Sequence, residues 1–318
     1  MHSFCQTSAL TLTLAFVAVG TAQPPAEPDG QVRSPSPVKL LEPGTAPRQS
    51  LRLAPLLGAH QVVDLLMRVT NERVMDGNKI LVNQAPAMKM SFEMVVTDIS
   101  PGQVSYAFEC IDADLVGDPA APDPMLPIMR EAILPLIGLR GTGVLSDRAQ
   151  SLRTTVSRPA QIDPMVEPHL DGIQRLLEQL TMPFPTEAVG IGAKWEITNT
   201  LDQDGFEVQQ TVVCTLAASD GRTIEIDVEI VQRADPQPMV ADGLPPGAAA
   251  NLLSYSSSGT GRTVHRLSEL FPTDGTMDVV NDSTVVISFG DMKQEIVQHV
   301  VMDTELKGRG TDPLTGNR

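Results

Sequence analysis

A mainly β protein is the fold this chain of 318 residues predicts: two repeated antiparallel strand meanders, forming curved sheets or an open barrel, with one or two connecting helices. Three observations point there. Apolar and polar residues alternate at period two over several runs, glycine-centred turns separate those runs, and the order of turns and glycine triplets occurs twice. Aromatic residues make up 3% of the chain while Met numbers 14, so the core must be built from Val, Ile, Leu and Met.

Taken in order, the first segment, Met1 to Ala22, holds no Lys, Arg, Asp or Glu and carries an apolar run from Ala9 to Val19. Gly20 and Ala22 place a signal-peptide cut between Ala22 and Gln23. The apolar run is shorter than the ~20 residues that span a bilayer, and nothing later approaches that length. Export through the secretory pathway to the periplasm or the exterior is therefore expected, with no transmembrane segment in the mature chain. A retained anchor is the alternative. Residues 23–50 are rich in Pro and polar side chains and read as a disordered linker.

The first β unit is assigned to residues 51–162. Met88, Met90, Phe92, Met94 and Val96 share one face of a strand, and after the turn Ser100-Pro101-Gly102 the residues Val104, Tyr106, Phe108 and Cys110 share the same face of the next. A strand is also expected over His60–Met75. A helical connector, residues 163–183, follows, with Leu170, Ile173, Leu176, Leu177 and Leu180 at helical spacing. Met125 to Ile137 forms a short helix at most, given Pro127 and Pro135.

The second unit, residues 184–307, turns at Asp220-Gly221 between Phe206–Leu216 and the alternating Ile224, Ile226, Val228 and Ile230. Further strands are expected at Lys194–Leu201, Arg262–Leu267, Val285–Phe289 and Gln294–Leu306, before a flexible tail, 308–318. Gly58-Ala59 and Gly192-Ala193 open corresponding strands. Gly141-Thr142-Gly143 follows Gly102 by 39 residues, and Gly259-Thr260-Gly261 follows Gly221 by 38. The shared order and spacing suggest a duplicated unit.

Met182-Pro183-Phe184-Pro185, followed by Val189-Gly190-Ile191-Gly192-Ala193-Lys194-Trp195, resembles an uncharacterised family of exported β-rich proteins from planctomycete-type bacteria, a domain of unknown function. The resemblance covers roughly Leu51 to Lys307. It implies export and β structure; no activity comes with it.

The chemistry is sparse. Cys5 leaves with the signal, and Cys110 and Cys214 are either two buried thiols or one long-range disulfide. His60, His169, His265 and His299 lack metal-ligand spacing, Asp202-x-Asp204-Gly205 reads as a hairpin turn, and Asp112, Asp114 and Asp118 read as a solvated loop. Ser256-Ser257-Ser258 with His265 lacks a nucleophile elbow and an acid. No cofactor, metal or catalytic residue is assigned. The net charge of −16 argues against nucleic acid and anionic lipid as partners. The leading expectation is a secreted or periplasmic binding or scaffold module, without enzymatic activity, whose partner is an envelope protein or an apolar small molecule. The alternative is a carrier that holds an apolar ligand against Met88, Met90, Phe92 and Met94. A third reading, an unrecognised hydrolase, requires ionisable groups to converge in one cleft.

Overall fold

The computed structural model describes residues 36–117, 123–157, 167–203, 205–240, 244 and 247–311. The proposed cleavage site at Ala22 and Gln23, residues 23–35 of the linker and residues 312–318 of the tail lie outside them. Strands make up 64% and helices 8% of the described residues, so the chain is mainly β, and its large antiparallel sheet is not closed into a barrel.

After β1 (Val38–Glu42), the first half comprises β2 (His60–Met75), β3 (Asn78–Gln84), β4 (Ala87–Ser100), β5 (Gln103–Val116), β6 (Arg140–Ser146) and β7 (Ser151–Val156). The second comprises β8 (Lys194–Gln203), β9 (Phe206–Ser219), β10 (Thr223–Ala234), β11 (Gln237–Met239), β12 (Ala248–Arg266), β13 (Asp274–Phe289) and β14 (Met292–Thr311). Their order in space is β1-β8-β9-β10-β12-β13-β14-β2-β4-β5-β6-β7, with β11 on β12 and β3 on β2. Each half is thus a meander, and β14 against β2 is the seam that joins them. The outlying pairs have one cause. β3 and β4 form a return strand along β2 broken at Ala85-Pro86, and β10 and β11 form one along β12 broken at Asp235-Pro236; proline has no N–H for a continuous ladder.

Each half opens with the same pair of hydrogen bonds. The Gly58 amide donates to the Val96 carbonyl and the Val96 amide to Ala59; the Gly192 amide donates to Leu216 and the Leu216 amide to Ala193. Gly58 and Gly192 have φ of +75° and +81°, which favours glycine at both. The Gly-Thr-Gly triplets lie on β6 and β12, each beside the second strand of its hairpin.

Alternation puts one face inward. Val63 and Leu65 of β2, the Met88–Val96 face of β4, Trp195 of β8, Cys214 of β9 and Ile226 of β10 are all buried in one core. Helix α1 (Leu126–Ile133), followed by a short turn of 3-10 helix at Leu134–Leu136, lies on β5, and α2 (Glu167–Gln179) lies on β7. Pro127 is tolerated because it stands in the first turn of α1, where its missing N–H has no acceptor to lose. A bulge at Ile111 shifts the phase of β5, so burial passes from Cys110 to Ala113 and Leu115.

A second, smaller apolar cluster, Phe206, Val208, Leu252 and Tyr255, lies at the far end of the second half. Between the clusters Asn199, Gln210, Gln232, Ser257 and Asn281 stand opposite one another in a row across five strands. The Tyr255 hydroxyl meets this row, its single proton directed to Gln232 Oε1 at 2.9 Å with Gln203 Oε1 also within reach at 3.1 Å, and it accepts from the Asn281 amide at 2.9 Å.

Two boundaries differ from the sequence expectation. The linker ends before β1, because Leu40 and its neighbours pair with Trp195 and adjoining residues of β8, and Gln49 bridges Val189. The tail begins later, since Gly308–Thr311 continues β14 opposite His60–Val63.

Candidate functional site

The outer face of the second half carries a trough whose origin is a difference in side-chain length. Along β12, Ser256 and Ser258 point outward and are short. Val231 and Arg233 on β10 and Val280 and Asp282 on β13 stand opposite them on either side. The register sets these residues in a grid, Arg233–Ser256–Asp282 above Val231–Ser258–Val280, all exposed. The resulting groove is ≈ 230 Å³, with Gln232 and Ser257 also contributing to its lining. One end is apolar and the other charged.

Asp282 is held from behind by His299 on β14, whose Nδ1 lies 2.7 Å from Asp282 Oδ1. The Arg233 guanidinium has no hydrogen bond or ion pair with any other described residue. Two other arginines of this face are paired, Arg262 with Glu225 and Asp227, and Arg68 with Glu305.

Ser256, Asp282 and His299 are the residue types of a hydrolytic triad in an order that cannot work. The carboxylate stands between the hydroxyl and the imidazole, and His299 is two strands, about 10 Å, from Ser256. Proton transfer needs the nucleophile and the base in direct contact. His265 is no substitute. It is wholly buried on the other face, with its ring 5.7 Å from that of Phe184 and neither nitrogen partnered among the described residues. Burial pushes its pKa down to about 4, so it is neutral at pH 7.

The remaining sequence candidates take structural places. Met88, Met90, Phe92 and Met94 are 6%, 0%, 0% and 0% exposed, in the same core as Met129 and Ile133 of α1 and nearby Leu136. Phe92 meets Phe108 edge-on at 6.5 Å. A ligand along this face would have to displace packed side chains.

Cys110 and Cys214 are separate buried thiols, on β5 and β9, so the bridge left open by the sequence is not made. Burial raises their pKa values to about 11 and about 12, leaving both protonated and unreactive. Asp112 and Asp114 are held by Lys89 at 3.0 Å and Arg130 at 2.9 Å; Asp118 lies outside the described residues. His60 faces Glu93 at 3.2 Å, and the side chain of His169 lies outside the described residues. Trp195 is an anchor, fully buried, its indole N–H donating to the Pro183 carbonyl at 2.9 Å.

The sequence signal for the trough was the run Ser256-Ser257-Ser258, but a polar run cannot reveal its walls. Those come from β10 and β13, which only the register brings alongside.

The chain matches no family model and no curated protein. Among solved structures it is similar to Acinetobacter baumannii OccAB4, at 8% identity over 81% of this chain and 99% of that chain, with a TM-score of 0.21. It is similar to Pseudomonas aeruginosa OpdO at 9% identity over the same shares, with a TM-score of 0.21. The InvG secretin domain β-barrel from the Salmonella SPI-1 injectisome gives 12% identity over 82% of this chain and 66% of that chain, with a TM-score of 0.16. Scores this low do not mark a shared fold. No described helix is long and apolar enough to cross a membrane.

Proposed function

We propose that this chain is an exported, non-enzymatic binding module of the cell envelope, and that it binds through the trough over Ser256 and Ser258. The observation that carries the reading is the grid itself: a concave, accessible surface with a guanidinium unpaired among the described residues, a carboxylate, two hydroxyls and two valines. Export rests on the uncharged, apolar first 22 residues. The tightly buried Met face supports a core role for those residues over a carrier role.

Equilibrium dialysis tests this reading. The protein is dialysed at high concentration against a small-molecule extract of its own envelope fraction, and retained solutes are identified by mass spectrometry. The wild type is expected to enrich a polar solute that Ser256→Trp, which fills the trough, does not retain. Circular dichroism checks that the variant folds, and Arg233→Glu provides a second, surface-only variant. Retention of an apolar molecule by all three proteins would overturn the reading in favour of a carrier; equal retention of nothing would remove the trough as a site.

A further inference from the structure

The two charges of the trough have opposite signs and stand on opposite walls. Arg233 and Asp282 both face Ser256, one from β10 and one from β13, so their backbones are about 10 Å apart with a single hydroxyl between them. A simple anion drawn to Arg233 meets the repulsion of Asp282. A simple cation drawn to Asp282 meets that of Arg233. A molecule carrying both charges close together meets neither penalty, and gains a charge-assisted hydrogen bond at each end. Below that row, Val231 and Val280 are 44% and 36% exposed and flank Ser258, leaving room for an aliphatic branch. At ≈ 230 Å³ the trough is smaller than the roughly 300–1,000 Å³ of sites for drug-sized ligands.

Resting on the proposed binding role of this trough, we infer that it takes a zwitterionic aminocarboxylate with a short aliphatic side chain, the chemistry of a free aliphatic amino acid. The ligand's carboxylate lies on Arg233 and its ammonium on Asp282. The Ser256 hydroxyl donates to the carboxylate, and the aliphatic branch lies over Ser258 between the two valines. His299 keeps the Asp282 carboxylate turned along the row. All six residues are exposed, and exposed ion pairs contribute little, so binding weaker than roughly millimolar is expected.

The test is a titration of the isotope-labelled protein by NMR with three probes: L-leucine, isocaproate, which lacks the amine, and isoamylamine, which lacks the carboxylate. Leucine is expected to move the amide signals of residues 231–233, 256–258 and 280–282 and to bind about fivefold tighter than either analogue. Arg233→Gln should lower leucine to the level of isoamylamine, and Asp282→Asn to the level of isocaproate. Both side chains are on the surface, so the fold is not at stake. Equal affinity for the three probes, or signals moving on other strands, overturns the inference. A solute in the dialysis experiment that is lost on Ser256→Trp but is no aminocarboxylate would overturn this ligand class and leave the binding role standing. If the dialysis retains nothing, both fall.

Discussion

His265 sits against Phe184 with both ring nitrogens unpartnered among the described residues, so nothing there replaces the hydration that its charged form would lose. Its pKa falls from the ordinary 6.5 to about 4. The unfolded chain therefore binds a proton between these values that the folded chain does not, and stability is full above pH 6.5 and falls as pH drops toward 4. The difference corresponds to roughly 3 kcal/mol. His265→Phe keeps an aromatic ring against Phe184 and removes the proton site. Urea unfolding at pH 7.5 and at pH 4 should show the variant gaining about that much on the wild type at the lower pH; a gap that does not change with pH would refute it. The sequence did not reveal this burial. On β12 the inward positions before His265 are Gly259, Gly261 and Thr263, which blur the alternation that identified the other inner faces.

The two Gly-Thr-Gly elements illustrate how one pattern can answer different local needs. On β6 the glycines make room for rings from β5: a Cβ on Gly143 would stand 2.2 Å from the Tyr106 ring, and one on Gly141 would stand 2.2 Å from both the Phe108 ring and the Thr155 carbonyl oxygen. On β12 the obstacle to Gly261 is the Thr276 carbonyl oxygen at 2.3 Å. Gly143→Ala and Gly141→Ala should each destabilise the fold by about 1–3 kcal/mol. Only the first should be relieved by trimming the facing ring. In double-mutant cycles followed by chemical unfolding, Gly143→Ala with Tyr106→Leu is expected to couple by about 1 kcal/mol or more, and Gly141→Ala with Phe108→Leu by much less, because the Thr155 backbone stays in place. Equal coupling would show that the rings are not what these glycines accommodate. Element by element, legibility followed burial. β4, β5, β9 and β10 bury one face and read clearly at period two, whereas β1 sits behind prolines and β6 and β7 are short and rich in Gly, Ser and Thr.

At the scale of the molecule, the seam matters most. β14 pairs with β13 on one side and β2 on the other along most of its length, and both halves contribute to the main core. Heating is therefore expected to give one cooperative transition in calorimetry. Deleting residues 292–318 would leave β13 and β2, each sixteen residues long, as open edges, which favour strand-to-strand association. Loss of the cooperative transition and a rise in light scattering are the expected result. A monodisperse monomer with two separate transitions would mean that the halves stand alone. The sequence revealed the strands of this seam but not their pairing, because alternation marks which face of a strand is buried and says nothing of its neighbour across hundreds of residues.

That distance also sets a schedule. Arg309 of β14 reaches Asp64 of β2 across 245 positions of chain, and β14 is the last of the fourteen described strands to leave the ribosome. Until it arrives, the first half waits with β2 unpaired on one side, and only long-range closure, the slow kind, completes the sheet. A chain built this way stays unfinished through nearly all of its synthesis. Until then β2 presents an open edge of sixteen residues, the kind of edge that pairs with strands of other chains.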